Sequence, residues 1–300
     1  MAPLQMVKNR PLATSGQPVH LHRSWWTSKR VANILTVVGL SLGAIFLLLP
    51  IFWLLDTAFK PPGEAFVMPP RFVYRPTLTN FHSLISGPYN QYVADIGHSL
   101  IILAFSVGVA LLFGVPAGFG LARSRFRGSG AITGWLIVAY IVPALVYIVP
   151  LYAIYQRLGL SGSYLSVILY YETFELPFVV FMMRSYFADV PRELEDAAQV
   201  DGCSRMQAFR KVVLPLVLPG LSTVTILAAI LSWGEYFGAL IFTGSTNITA
   251  PVAIQQYIGQ DSSNWSVLAA AALLLVIPVL LLAGFVQRGY LRTVTSATTG

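Results

Sequence analysis

The chain of 300 residues is 56% hydrophobic and 10% charged, with a mean hydropathy of +0.69, which excludes an ordinary soluble domain and indicates an integral membrane protein. Its net charge of +7 does not signify a nucleic-acid face, because the basic residues are spread over alternate connections instead of being clustered.

A hydrocarbon core of about 30 Å takes roughly 20 apolar residues per helical span, and six stretches meet that length: 33–55, 98–122, 131–155, 164–183, 216–242 and 265–286. The predicted fold is therefore all-α and polytopic, with a tail over 1–32, a six-helix domain over 33–286 and a second tail over 287–300. The first tail is basic, with Lys8, Arg10, Arg23, Lys29 and Arg30. It is too long, and the apolar segment after it too extended, for a cleaved signal peptide, so the first span is expected to be retained. His20 and His22 read as solvated side chains of this tail, and no metal role is assigned. Proline recurs in every span, at Pro50, Pro116, Pro143, Pro150, Pro177, Pro219 and Pro278, and is expected to bend the helices. Gly114 and Gly118 in the second span, and Gly234 and Gly238 in the fifth, offer small faces for close helix approach.

Three carboxylates fall inside spans. Glu172 and Glu175 lie one turn apart in the fourth, just before Pro177, with Tyr170 and Tyr171 nearby; Glu235 stands between Trp233 and Tyr236 in the fifth. A central acidic residue costs about 2.5 to 3.5 kcal/mol on insertion scales, so such groups face a cavity or a partner. Carboxylates beside aromatic rings suit a hydroxyl-rich solute, and Glu172, Glu175, Trp233, Glu235 and Tyr236 are the candidate solute path. Hydrogen bonding to neighbouring helices or to a partner subunit is the structural alternative.

Between the fourth and fifth spans lies the longest polar interruption, with its core over 189–213. Pro191 suits the first turn of a helix, and Glu193, Glu195 and Asp196 complement the positive helix amino terminus. Gly202 stops that helix. Ser204 and Gln207 form a predicted capping box opening a second one, with Met206, Phe209 and Val213 on one face, before Leu214 and Pro215 bend into the fifth span. The product is a two-helix bracket continuous with a membrane helix, as a mechanical lever requires. Further on, the connection 244–264 lacks Lys and Arg and carries Gln255, Gln256 and Tyr257 as polar contacts for a partner. Asn247-Ile248-Thr249 is a formal sequon to which no role is assigned, and the single cysteine, Cys203, leaves no disulfide framework.

The first tail, the connections after spans two and four, and the last tail hold fifteen of the nineteen Lys and Arg residues; Lys60, Arg71, Arg75 and Arg157 are the remainder. The positive-inside rule then puts both termini and the bracket in the cytoplasm.

The run Glu195-Asp196-Ala197-Ala198, three residues, Gly202, then Val212-Val213-Leu214-Pro215 resembles the cytoplasmic signature loop of importer-type ABC permeases. Phe59-Lys60-Pro61-Pro62, Pro76-Thr77-Leu78-Thr79-Asn80-Phe81, Leu121-Ala122-Arg123, Phe126-Arg127-Gly128, Trp233-x-Glu235 and Gln287-Arg288 extend the resemblance over nearly the whole chain and narrow it to carbohydrate, maltose-type permeases. Asp196 stands where glutamate is usual, Cys203 where alanine is common and Gly234 where asparagine is frequent; the last six residues lack the lysine often found before the final glycine.

The resemblance implies a bacterial inner-membrane subunit importing a sugar, oligosaccharide or polyol by alternating access. Its implied partners are a second, homologous permease, two ATP-hydrolysing subunits and an extracytoplasmic binding protein, with membrane lipid around it and no nucleic acid. It implies ATPase coupling through Glu195, Asp196, Ala197, Ala198, Gly202, Phe209, Leu214 and Pro215. The chain itself is expected to be no enzyme and to hold no cofactor, with ATP and magnesium on the ATPase subunits, since it has no Gly-x-x-x-x-Gly-Lys-Ser/Thr loop. An importer for a polyamine or amino acid is the near alternative. An ATP-independent secondary transporter would call for internal repeats or ion-coupling sites, and a membrane scaffold leaves the bracket without a purpose.

Overall fold

The computed structural model describes residues 25–124, 127–258 and 263–298. Helices α1 (Trp25–Phe59), α2 (Thr79–Ile85), α3 (Gln91–Arg123), α4 (Ser129–Ile141), α5 (Leu145–Arg157) and α6 (Tyr164–Asp189) are followed by the short α7 (Glu193–Val200) and α8 (Arg205–Ala208). A π turn over Phe209–Val213 leads into α9 (Leu214–Trp233), and α10 (Phe237–Phe242), α11 (Ala250–Ala253), a 3₁₀ turn (Ile254–Tyr257) and α12 (Ser263–Thr298) complete the fold. No strand occurs among the described residues. The predicted first tail in fact turns helical from Trp25, and α12 runs on through the predicted second tail to Thr298; His20, His22 and the final two residues lie outside the described residues.

The chain divides into two units at Phe52–Trp53. The first contains most of α1, which is apolar all round; Phe46 and Leu47 are 78% and 71% exposed, as suits a helix whose solvent is hydrocarbon. In the second unit, α3, α6, α9 and α12 pack together. Lipid tails are as apolar as leucine, so such packing depends on close backbone approach and interhelical hydrogen bonds. Gly114 and Gly118 supply the approach: a Cβ on Gly114 would lie 2.6 Å from Val179 Cγ1, and one on Gly118 would lie 2.9 Å from the Arg184 backbone nitrogen. The hydrogen bonds come from Tyr92, whose hydroxyl donates to the Ala271 carbonyl (3.0 Å), and Trp233, whose Nε1 donates to the Leu275 carbonyl (2.9 Å). Ser166 Oγ donates to the Phe242 carbonyl at 3.0 Å.

Among the described residues four helices are long and apolar enough to cross a membrane: α1, α3, α6 and the run Arg205–Trp233; α4 and α5 make a fifth span if they are counted as one. The apolar part of α12, Trp265–Leu281, is shorter. Two predicted spans are broken. Residues 131–155 were expected to be continuous, yet α4 and α5 meet at a 94° bend. Pro143 has no N–H for the ladder and pushes Val142 out of helical geometry, to ψ 125°. The expected span 216–242 likewise stops at Trp233 and restarts at Phe237. The other six span prolines sit inside continuous helices.

Candidate functional site

The bracket forms as its local chemistry dictates. Glu193, Glu195 and Asp196 occupy the first turn of α7, beside its unsatisfied N–H groups. Gly202 takes φ +86°, a conformation that costs a side chain. Ser204 Oγ accepts from the Gln207 N–H (3.3 Å) while Gln207 Oε1 accepts from the Ser204 N–H (2.8 Å), completing the capping box. Pro215 cannot donate, and just before it the helix widens, so that the Leu214 N–H bonds to the Phe209 carbonyl five residues back.

The predicted face is corrected at Met206, which is 57% exposed, while Ala208, Phe209 and Val213 are buried; Met206 precedes the wider turn, across which Phe209 and Val213 keep to one buried side. Phe209 completes a triangle of rings with Phe119 of α3 (centroids 4.5 Å) and Phe187 of α6 (5.9 Å); Phe119 and Phe187 lie 5.4 Å apart. Among the other predicted coupling residues, Ala198 is buried, Glu195 and Leu214 are half-buried, and Asp196, Ala197, Gly202 and Pro215 are exposed. Leu194, Ala197 and Val200 recur on one side of α7, and Val200 is 88% exposed. These outward apolar groups, with Met206, form a surface that reading the sequence missed.

Two arginines join the bracket to the bundle. Arg123, the last residue of α3, donates from Nε to Glu195 Oε1, from Nη1 to the Phe187 carbonyl (2.8 Å) and from Nη2 to the Val190 carbonyl (3.0 Å). Arg192 Nη2 donates in the other direction, to the carbonyls of Ala122 and Arg123, each at 3.3 Å. Neither had been singled out for a role. Arg123 and Glu195 are 72 residues apart, beyond any local spacing rule.

The structure separates the three membrane carboxylates. Glu235 Oε1 accepts from the Gly238 N–H (2.9 Å) and Oε2 from the Ala239 N–H (3.0 Å), and the Tyr170 hydroxyl donates to Oε1 at 3.5 Å. It thus caps α10 at the break in the fifth predicted span. Trp233 is buried and committed to Leu275, while Tyr236 is half-buried beside Phe237. Glu175 is fully buried, with the Ser106 hydroxyl beside its carboxylate, and Glu172 is half-buried with no described hydrogen-bond partner for either oxygen.

At the far end of α3, residues 244–258 are folded, with Asn247 Oδ1 accepting from the Gly244 N–H at 2.6 Å. Asn247 and Thr249 of the sequon are each 2% exposed. Tyr257, expected to be an available contact, is buried edge-on against Tyr89 (5.0 Å) and Tyr92 (5.8 Å). Gln255 is exposed, and the Gln256 side chain lies outside the described residues. In the connection that follows α1, Lys60 is buried, with Nζ 2.6 Å from Asp56 and facing the rings of Trp53, Phe72 and Tyr74 at 5.4 to 5.8 Å. Burial and its bond to Asp56 push the Tyr74 phenol up to about 12. Among the described residues no three His, Cys, Asp or Glu side chains are grouped to hold a metal.

Comparison with known proteins agrees with this arrangement. The chain is 33% identical over 90% of its length to the diacetylchitobiose uptake system permease protein DasC of Streptomyces coelicolor, covering 96% of that protein. It is 34% identical over 90% of its length to the sulfoquinovosyl glycerol transport system permease protein SmoH of Agrobacterium fabrum, covering 90% of that protein. Among solved structures, a chain of a bacterial ABC transporter involved in the import of the acidic polysaccharide alginate superposes with a TM-score of 0.73 at 22% identity, over 87% of this chain and 97% of that one. Residues 110–295 match the family described as binding-protein-dependent transport system inner membrane component. The chain is a multi-pass membrane protein and belongs to that family of ABC transporter permeases.

Proposed function

We propose that this chain is the permease of an ATP-driven importer whose solute is a sugar, oligosaccharide or polyol. The observation that carries this reading is the bracket: α7 and the capped α8, which runs on into α9, leave Leu194, Val200 and Met206 exposed. Exposed apolar groups on a rigid element beyond the spans suit burial by a soluble subunit. Two ATPases bound to the brackets of this chain and of a second permease would drive alternating access, with ATP and magnesium held on those subunits and no catalysis on this chain. Both termini would then lie on the ATPase side. Names of relatives such as DasC and SmoH, which specify sugar derivatives, support the solute class.

On the opposite side, Gln255 is the accessible contact for a solute-binding protein. Glu172 and Glu175 stand first among the candidate solute-path residues, since Glu172 has no described partner and Glu175 only the Ser106 hydroxyl beside it, whereas Glu235 and Trp233 hold helices together. The test is uptake in proteoliposomes containing both permeases, the ATPases and the binding protein, using trehalose, diacetylchitobiose, putrescine and methionine as probes. ATP-dependent uptake of a sugar supports the reading; uptake of putrescine or methionine alone would replace its solute class.

A further inference from the structure

Continuous helical backbone ties the bracket to α9 alone, its link to α6 being the non-helical residues 190–192. We propose that Arg123 is a second, non-covalent joint, a positioning residue that locks α7 to α3 and α6 so that movement of the bracket carries all three membrane helices together. This rests on the coupling role proposed above.

The chemistry fits a joint better than an incidental surface pair. A helix leaves its last carbonyls without intrahelical donors, and its C-terminal end is negative. Arg123 reaches the carbonyls of Phe187 and Val190 at the end of α6 with two nitrogens, while its third bonds to Glu195 in the first turn of α7. One guanidinium therefore connects the negative end of one helix to an acid at the positive end of another, from its seat on a third. Arg192, at the start of α7, caps the end of α3 in return. The side chains of Arg123 and Glu195 are only 13% and 14% exposed, so the pair is less screened than a surface bridge. The rings of Phe119, Phe187 and Phe209 in turn pack α3 and α6 against the π turn that leads from α8 into α9. An ammonium is a compact point charge without the planar fork, so lysine cannot hold the three acceptors in this geometry.

The test uses the assembled transporter with Cys203→Ser and nitroxide labels at Val200→Cys on α7 and Leu112→Cys on α3, both of which are exposed. Their separation is measured without nucleotide and with Mg·ATP and vanadate. A rigid joint gives the same narrow distance distribution in both states, and Arg123→Lys broadens it by about twofold because two of three anchors are lost. Glu195→Gln, which keeps side-chain size and one acceptor oxygen, serves as the second variant, with broadening in the same direction. Two results would overturn the joint: a Val200–Leu112 distance that shifts with nucleotide in the unsubstituted chain, or variants as narrow as that chain. The coupling role is read separately, from loss of Val200 label mobility when the ATPase subunits bind. Unchanged mobility would overturn that role and the joint with it, whereas immobilisation with a shifting distance would overturn the joint alone.

Discussion

Gly202 and the three membrane carboxylates show how single positions divide between shaping the protein and working in it. At Gly202, φ +86° costs an ordinary side chain about 1–2 kcal/mol, and proline cannot adopt it because its ring fixes φ near −65°. Gly202→Pro is accordingly expected to abolish ATPase stimulation by the loaded binding protein while the subunit remains inserted; Gly202→Ala should lose only part of it. Co-purification of the subunits, with ATPase assays, checks both. Gln substitutions at the acids should separate them as well. Glu235→Gln removes one of two acceptors at the start of α10, and losing such a cap costs about 1 kcal/mol, so less folded complex is expected. Glu172→Gln and Glu175→Gln replace an acid by an amide of the same size at sites that join no helices by a described hydrogen bond of their carboxylates, so abundance should hold while apparent solute affinity changes. Equal uptake kinetics in both variants would remove them from the path.

Among the elements, α3 and α6 meet where side chains are absent. Since a Cβ on Gly118 would meet backbone and not a movable side-chain tip, Gly118→Val should force the helices apart. Overpacking of this kind costs about 1–3 kcal/mol, to be seen as a lower melting temperature of the purified complex. The glycine spacing pointed to this contact in the sequence, and capping chemistry pointed to both bracket helices, because each signal acts over three or four residues. Hydropathy was blind to the breaks at 142–144 and 234–236, since an apolar window does not record backbone direction. It also could not show that Tyr257 faces inward, or that Arg123 meets Glu195 across 72 residues.

For the molecule as a whole, the apolar spans and the alternation of positive connections were legible because the bilayer constrains both strongly. Orientation remains testable with the chain's own chemistry. Cys203 is its sole cysteine, partly exposed in the bracket. If the bracket lies on the ATPase side, a membrane-impermeant maleimide should label Cys203 in inside-out vesicles and leave it unlabelled in sealed right-side-out ones; the reverse pattern would invert the topology.

The π turn over Phe209–Val213 means that the bracket's heading is set by counting. A π turn closes over five residues where an α turn closes over four, so it absorbs one residue that in α geometry would rotate everything on its bracket side by about 100° relative to α9; a further residue inserted after Val213, with that turn already used, would impose the rotation. Phe209 would leave its ring triangle, and Glu195 would point away from Arg123, although every original side chain kept its identity. A chain lengthened there by one residue should insert and span the membrane normally, yet present its ATPase partner with the wrong side of α7, whereas one shortened there by one residue should relax to α geometry and keep its heading.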